Sequence, residues 1–277
     1  MIDGKTKLIA HIGWPTESFK APMIYNPFFE KRKINAVVVP MGCKGEYYAE
    51  FLKLVFRLSN IHGALITMPH KVTTLELVEV TSVSARIAGA CNAVRVDERG
   101  RLTGDMFDGE GFVRGVLKKG RRLVGAGVLV AGCGGVGSAI AASLAKAGIA
   151  RLGLYDAFPQ GMNALAERLR AHYPKLEVTT GSADPDGYDV VVNATPLGMK
   201  KDDPLPFDAE RIAPSTFVGE VVMKEEITPL LAAARAKGCD YQVGTDMLFE
   251  QIPAYLEFFG LGTATPDELR KVARIQY

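Results

Sequence analysis

The sequence predicts an α/β protein of two domains, one of them built on a doubly wound parallel sheet. Short apolar runs typical of strands alternate with segments of helical periodicity along almost the whole chain. Near the middle, within 123–156, a glycine-rich turn lies between an apolar strand and an alanine-rich helix without a breaker. A chain of 277 residues with 48% hydrophobic residues is long enough to form two packed cores.

The composition excludes several classes of partner. The chain has 33 basic and 31 acidic residues, so its formal net charge of +2 predicts neither nucleic acid nor a membrane surface as a partner. The N-terminal residues lack the apolar core of a signal peptide, and the four cysteines are widely spaced, which predicts a cytoplasmic protein with reduced thiols. No two histidines have the spacing of zinc ligands, and no metal is predicted.

The first part of the chain alternates strands with helices. Strands are predicted at 6–12, 35–40 and 63–68. Helices are predicted from near Pro22, over 47–60 and, with a polar interruption, over 73–90. A hairpin follows, with strands at 91–96 and 102–104. The third strand delivers Pro69, His70 and Lys71 at its carboxyl end, which is where open α/β sheets bind ligands.

The glycine-rich turn follows an apolar strand at 128–131 and fits the pattern G-x-G-x-x-G with Gly132, Gly134 and Gly137. The first glycine permits a tight turn, the second lets a pyrophosphate approach the backbone, and the third lets the helix pack on the strand. The helix predicted at 138–147 directs its free N–H groups toward the phosphates. We therefore expect a Rossmann-type dinucleotide-binding domain. Its predicted contacts in the turn are Gly132, Cys133, Gly134, Gly135, Val136 and Gly137.

Asp156 ends the next predicted strand, 151–155, about 20 residues beyond the glycines. An acidic side chain at this place accepts hydrogen bonds from the adenosine ribose, and its charge repels a 2′-phosphate. The sequence therefore predicts NAD in preference to NADP. A flexible surface loop is the alternative for the glycines, and it leaves the flanking strand, helix and aspartate unexplained.

The alternation continues to the C-terminus. Strands are predicted at 176–180, 189–193 and 217–222. Helices are predicted at 163–172, 228–237, 247–258 and 266–275. The predicted domain limits are 109–239 for the dinucleotide-binding domain and 1–108 with 240–277 for the other domain.

Segments spread over essentially the whole chain resemble the shikimate dehydrogenase family, which includes shikimate 5-dehydrogenase and quinate/shikimate dehydrogenase. They are IGWPTESFKAPMIYN, GALITMPHK, AGACNAV with GDMFDGEG, and NATPLGM with GTDMLFEQ. The resemblance implies that the first domain binds the substrate and carries the catalytic groups. It also implies hydride transfer between a nicotinamide cofactor and a ring hydroxyl.

The resemblance implies a catalytic pair, Lys71 and Asp108. Oxidation of a ring alcohol requires the hydroxyl proton to leave, and a lysine near a carboxylate can exchange it. A solvated surface lysine and a turn residue are the alternatives for these two positions. The implied substrate-binding residues are Thr67, Asn92 and Gln251, and further implied cofactor contacts are Ala194, Thr195, Val221 and Met247. Caps, satisfied buried amides or core positions are the alternatives for these.

Other positions depart from the family's pattern, and each departure removes a polar group. Phe19 and Ala21 stand where two serines usually bind the substrate carboxylate, and Ser18 and Lys20 beside them are predicted as substitute ligands. The remaining departures are Leu65 for asparagine, Met106 and Phe107 for Asn-Thr, and Met223 for tyrosine. We expect the catalytic groups to be kept while substrate recognition has changed.

Three functions remain open from the sequence. The leading one is an NAD-dependent oxidoreductase acting reversibly on shikimate, quinate or a related cyclic hydroxy acid, as in aromatic amino acid biosynthesis. The second applies the same chemistry to a less polar cyclic alcohol outside the shikimate pathway. The third is a dinucleotide-binding sensor without turnover, which the retention of Lys71 and Asp108 disfavours. The expected partner is a small molecule, and a homodimer is compatible with the sequence.

Overall fold

The computed structural model of the chain describes residues 2–275, which divide into two compact units. Residues 2–107 and 251–275 form the first unit, and 108–250 form the second. The sequence analysis placed Asp108 and 240–250 with the first domain, whereas they belong to the second unit. The segment 240–250 lies there because Tyr241 and Gln242 pair as a strand with Val218 and Gly219 of that unit's sheet.

The first unit contains a six-stranded mixed sheet. Its strands are β1 (Lys7–Gly13), β2 (Ala36–Gly42), β3 (Ile61–Ile66), β4 (Val80–Thr81), β5 (Ala93–Val96) and β6 (Leu102–Asp105). They lie in the order β2-β1-β3-β5-β6-β4. β1 is parallel to both β2 and β3, so the carboxyl ends of these strands meet at one edge. β5 and β6 pair antiparallel, as the predicted hairpin requires.

The second unit contains a six-stranded sheet in which every pairing is parallel. Its strands are β7 (Gly127–Ala131), β8 (Arg151–Tyr155), β9 (Glu177–Thr180), β10 (Val190–Asn193), β11 (Phe217–Glu220) and β12 (Tyr241–Gln242). The order β12-β11-β10-β7-β8-β9 reverses direction between β7 and β10. Ligands of doubly wound sheets bind at such a switch point. The predicted α/β fold class with a Rossmann-type unit is confirmed.

The helices are α1 (Pro22–Arg32), α2 (Gly45–Val55), α3 (Lys71–Leu77), α4 (Val83–Ala88), α5 (Asp108–Lys118), α6 (Gly135–Lys146), α7 (Pro159–His172), α8 (Pro229–Ala236), α9 (Gly244–Phe258) and α10 (Pro266–Val272). The single interrupted helix predicted at 73–90 is wrong. α3 and α4 are separate because Val80 and Thr81 pair with β6 between them. The boundary between the two units, after residue 250, lies within α9. In the described part of the chain, no helix is long and apolar enough to cross a membrane.

α5, which the sequence analysis did not predict, packs on α6 within the second unit. The two backbones approach closely at Gly109. A Cβ atom at this position would lie 1.9 Å from the carbonyl oxygen of Ala139 and 2.4 Å from Oγ of Ser143. Since the nearer obstacle is backbone, only the absence of a side chain allows this contact.

We expect Gly109→Ala to lower the free energy of unfolding by about 1–3 kcal/mol, because the added methyl group overpacks the contact between α5 and α6. The matched control is Gly161→Ala in α7, where a Cβ would meet no atom within 4 Å. This control should be neutral or stabilising by up to about 1 kcal/mol, since alanine is the better helix former. Chemical denaturation of the three proteins measures the difference, and equal stability of both variants would contradict it.

Candidate functional site

The glycine turn after β7 lies at the switch point of the second sheet. Gly132 has a φ of +95°, and a Cβ there would lie 2.5 Å from the carbonyl carbon and oxygen of Ala194, just after β10. A Cβ at Gly137 would lie 1.8 Å from the Gly132 carbonyl oxygen. A Cβ at Gly134 would meet no atom within 4 Å. The first and third glycines are therefore required by packing, while the second leaves its side of the backbone open to a ligand.

The helix after the turn begins at Gly135, not at Ser138 as predicted, with Gly134 as its N-cap. Gly137 consequently lies in the first turn, where packing against Gly132 outweighs the poor helix propensity of glycine. The N–H groups of a first helical turn have no partner within the helix, and they carry the positive end of the dipole. The turn, including Cys133, Gly135 and Val136, thus has the form of an anion-binding site suited to a pyrophosphate.

Asp156 is held beside this turn by two backbone hydrogen bonds. Its Oδ2 accepts from the N–H of Cys133 at 2.6 Å, and its Oδ1 accepts from the N–H of Phe158 at 2.8 Å. The N–H of Gly132 donates to the carbonyl of Tyr155 at 2.8 Å, which joins β8 to the turn. A carboxylate has about four lone-pair sites, so Asp156 retains acceptor capacity for ribose hydroxyls. The residues of this unit therefore fit the adenosine half of a dinucleotide.

A buried network shapes the loop that carries Ala194 and Thr195. Oδ1 of Asn193 accepts from the N–H of Thr195 at 3.1 Å and from its hydroxyl at 2.6 Å, while Nδ2 donates to Oε1 of Glu220 at 3.0 Å. The Glu220 carboxylate also accepts from the N–H of Val221 at 2.8 Å and from the hydroxyl of Thr228 at 2.9 Å. The predicted contacts Ala194, Thr195 and Val221 are thereby fixed together.

Asn193 and Glu220 were missed by sequence reasoning, although each is a polar residue that ends a buried strand. Neither is exposed to solvent. Burial raises the pKa of the Glu220 carboxyl, against the opposing effect of its hydrogen bonds. The pair therefore positions the loops after β10 and β11.

Two further predicted residues lie in the second unit. Asp108 is the first residue of α5 and is only 2% exposed. A carboxylate at this end of a helix is stabilised by the helix dipole. Met247 is buried in α9, one turn after Gly244, and a Cβ added at Gly244 would lie 2.2 Å from the carbonyl oxygen of Val222. Met247 therefore belongs to the region that follows β11.

In the first unit, Lys71 begins α3 directly after the carboxyl end of β3. The preceding His70 is anchored on both sides. Its ring stacks on Tyr48 with centroids 3.9 Å apart, and its Nε2–H donates to the carbonyl of Cys43 at 2.7 Å. The Tyr48 hydroxyl lies 2.6 Å from the hydroxyl of Thr74, one turn into α3. The backbone that carries Lys71 is thus rigidly placed.

Thr67 and Asn92 lie at the same edge as Lys71. The N–H of Ile66, next to Thr67, donates to the carbonyl of Asn92 at 2.8 Å, and the N–H of Cys91 donates to the carbonyl of Lys71 at 2.8 Å. Three predicted residues, Thr67, Lys71 and Asn92, are therefore brought together where β1 and β3 end.

Two of the predicted substrate-binding side chains have buried polar atoms without a partner among the described residues. These atoms are Nδ2 of Asn92 and Oε1 of Gln251. Gln251 lies one helical turn before Tyr255, whose hydroxyl donates to the Asn92 carbonyl at 3.4 Å. Unpaired buried groups cost free energy in the absence of a ligand, so they indicate positions that a polar ligand can satisfy.

The segment around Phe19 and Ala21, where the family usually has two serines, has its apolar side chains buried. Phe19 and Ala21 are buried, whereas Ser18 is exposed and Lys20 is half-buried. A Cβ at Gly13 would lie 2.9 Å from Cζ of Phe19 and 2.4 Å from Cγ2 of Thr67. The Phe19 ring therefore covers the edge at which Thr67 lies.

The other apolar departures of the first unit are also buried, namely Leu65, Met106 and Phe107. The Phe107 ring packs against Tyr255 and Phe258, with centroids 4.9 and 5.6 Å away. It thus extends the unit's aromatic core. Within residues 2–275, no group of three or more potential ligands is arranged to hold a metal ion.

His11 is a residue of this edge that sequence reasoning missed. Its ring lies against that of Phe19, with centroids 4.1 Å apart. Burial, together with the positive charge of Lys71, lowers the pKa of His11 to about 3. The only sequence signal is a histidine inside the apolar strand that leads to Gly13, Trp14 and Pro15.

Known proteins resemble the chain over nearly its full length. Residues 12–94 match the family described as the shikimate dehydrogenase substrate binding domain. The chain is 36% identical to a shikimate dehydrogenase (NADP(+)) of Rubrobacter xylanophilus, over 90% of this chain and 89% of the relative. It is 34% identical to the enzyme of the same name from Rhodospirillum rubrum, over 98% of both chains.

Among solved structures, a quinate dehydrogenase from Corynebacterium glutamicum in complex with NAD is similar, with a TM-score of 0.86 and 28% identity over 96% of this chain and 98% of that one. The sequence relatives, the strand order of the second sheet and the geometry of the glycine turn all indicate a dinucleotide-binding enzyme. The chain belongs to the shikimate dehydrogenase family and is an oxidoreductase that acts on a CH–OH group with a nicotinamide cofactor.

Proposed function

We propose that the protein transfers a hydride reversibly between NAD and a ring hydroxyl of shikimate, quinate or a related cyclic hydroxy acid. The observation that carries this proposal is Lys71, held at the carboxyl ends of β1 and β3 beside Thr67 and Asn92. Relatives named as shikimate dehydrogenases and a similar quinate dehydrogenase support the substrate class. A sensor without turnover would not need an amine so placed.

In this proposal, Lys71 exchanges the proton of the reacting hydroxyl group. A nicotinamide, when bound, supplies or accepts the hydride. Asp108 is the carboxylate that the resemblance pairs with this lysine. Thr67, Asn92 and Gln251 bind ring oxygens. Nδ2 of Asn92 and Oε1 of Gln251, which have no partner among the described residues, gain hydrogen bonds when the substrate binds. The chain thus orients the alcohol and removes its proton.

Lys71→Ala should lower kcat by roughly 10²–10⁴-fold and leave the Kd of NAD nearly unchanged, because it removes the proton-transfer group alone. Lys53→Ala, at an exposed position of α2, is the matched control and should retain wild-type kinetics. Steady-state kinetics and cofactor titration test both variants. Normal turnover by the Lys71 variant would place the proton path elsewhere.

The preference for NAD is part of the proposal, although the two sequence relatives are named for NADP(+). Asp156 is fixed by the N–H groups of Cys133 and Phe158 where the adenosine ribose would bind. The segment after it, 156–162, contains no arginine or lysine to neutralise a 2′-phosphate. Charge repulsion therefore favours the cofactor without that phosphate.

The Kd of NAD should be lower than that of NADP by roughly tenfold or more, since a like charge beside the phosphate opposes binding. Asp156→Ser should reduce the ratio of the Kd of NADP to the Kd of NAD. Asp186→Ser, which removes an exposed carboxylate of the same unit, should leave this ratio unchanged. Titrations of all three proteins with both cofactors at one ionic strength give the ratios. Tighter binding of NADP by the wild type would contradict the proposal.

A second candidate, a less polar cyclic alcohol as substrate, is favoured by the buried side chains of Phe19 and Ala21. Apolar walls favour apolar substrate surface by about 25 cal/mol per Å² and leave hydroxyl groups unpaired. Each hydrogen bond that a polyol fails to make costs roughly 0.5–1.5 kcal/mol. The substrate is accordingly less hydroxylated than shikimate, or it is bound by other polar groups.

We expect shikimate to be a poor substrate and the double variant Phe19→Ser, Ala21→Ser to raise its kcat/KM, because the two hydroxyls restore hydrogen-bond donors. The reduction of NAD by a panel of cyclic alcohols, with shikimate and quinate included, tests the function and the scope together. Efficient turnover of shikimate by the wild type, with a micromolar KM, would show that other groups bind its carboxylate.

A further inference from the structure

The imidazole of His11 has a buried polar atom that the fold leaves unused. His11 is 8% exposed, and no described group forms a hydrogen bond with its Nδ1. Its backbone pairs with Pro40 of β2 and Leu65 of β3, so its strand, β1, has a neighbouring strand on each side. An imidazole buried in a sheet normally has its nitrogens satisfied, since an unmet one costs about 1–3 kcal/mol.

The surroundings of His11 are those of the substrate edge. Its ring faces Phe19, which in turn reaches the space above Gly13 and Thr67. The charge of Lys71 is close enough to act on His11. His11 therefore belongs with Thr67 and Lys71, and it is separated from the far end of the sheet, where His62 donates to the carbonyl of Phe259 at 2.5 Å.

The protonation state of His11 limits what it can bind. Burial first, and the neighbouring Lys71 second, keep its pKa about 3, so the ring is neutral at physiological pH. A neutral imidazole offers one N–H donor and one acceptor nitrogen. A hydroxyl group, which both donates and accepts, is complementary to such a ring, whereas a carboxylate would favour the charged form that burial opposes.

We propose that His11 is a specificity-determining residue of the substrate site, and that its Nδ1 forms a hydrogen bond with a hydroxyl group of the substrate ring other than the reacting one. This inference rests on the proposed function, because it takes the cyclic alcohol as the ligand. Phe19 holds the imidazole plane, and Leu65 beside it offers no competing polar group. His11 thus supplies polar recognition at an edge where Phe19, Ala21 and Leu65 supply none.

The first arm of the test measures kinetics at saturating NAD with shikimate, quinate and analogues of each that lack one non-reacting hydroxyl. His11→Leu should lower kcat/KM for the parent compound that is turned over by roughly 3- to 15-fold, mainly through KM, as expected for one hydrogen bond. For one deoxy analogue, the one without the hydroxyl group that Nδ1 binds, the substitution should leave kcat/KM unchanged. His11→Gln, which keeps a hydrogen-bonding group, should recover part of the loss.

The control His62→Leu removes a half-buried histidine from β3 and should leave every kcat/KM unchanged. A thermal melt of each variant establishes that it is folded. An equal loss for every compound, including all deoxy analogues, would show that His11 serves packing alone and would overturn the inference. Kinetics of His11→Leu equal to those of the wild type would overturn it as well.

The second arm observes binding without turnover, so that a failure of the proposed function can be told apart from a failure of this inference. The enzyme is labelled with ¹⁵N and saturated with NAD. The resonances of the His11 ring are assigned as those that are present in the wild-type spectrum and missing from that of His11→Leu. Addition of shikimate or quinate should shift the Nδ1 resonance and leave that of His62 in place. If the wild type turns over no compound, the proposed function is wrong. An Nδ1 resonance that no compound shifts overturns the inference about His11.

Discussion

The close approach of backbone between Gly132, Gly137 and Ala194 is the constraint on which the second unit depends. A side chain at either glycine would collide with main-chain atoms, at 2.5 Å for Gly132 and 1.8 Å for Gly137. The approach brings the start of α6 and the end of β10 to the same point of the sheet. Because main-chain atoms cannot relax as a flexible side chain can, the turn has one arrangement, and it leaves Gly134 open.

Polar residues at the strand ends preserve that arrangement. Asp156 connects the end of β8 to the turn through the N–H of Cys133, and Asn193 connects the loop after β10 to Glu220 at the end of β11. Each uses a buried or half-buried side chain to satisfy backbone N–H groups that the sheet leaves unpaired where its strands end. Removal of one partner would leave the other buried and unsatisfied, so these links also explain why the ends of an otherwise apolar sheet are polar.

The parts of the fold that the sequence predicted correctly are those in which the local sequence pattern and the packing of the whole unit favour the same structure. The strand at 151–155 has the predicted bounds because its apolar run is buried on both faces. The start of α6 was misplaced because glycine has low helix propensity, and only packing against Gly132 makes Gly135 and Gly137 helical. β4 was missed because a two-residue strand has no periodicity, and its existence depends on β6, which is distant in sequence.

The same distinction applies to the candidate site. Lys71 and Thr67 follow a strand at the kind of edge where open α/β sheets bind ligands, so local sequence marks them as candidates. His11 lies inside an apolar strand, and nothing local marks its unpaired nitrogen. Its significance arises from two contacts that only the fold creates, with the ring of Phe19 and the charge of Lys71. Phe19 and Ala21 are buried and apolar, but Nδ1 of His11 and Nδ2 of Asn92 are buried without a partner among the described residues, so the edge is not simply apolar. His11 lies in β1 and Asn92 directly precedes β5, so the sheet holds both side chains, whereas Ser18 lies in an exposed loop. Under the proposed function, such an edge would recognise the position of a few hydroxyls more strictly than their number, because each buried group that finds no partner costs about 1–3 kcal/mol.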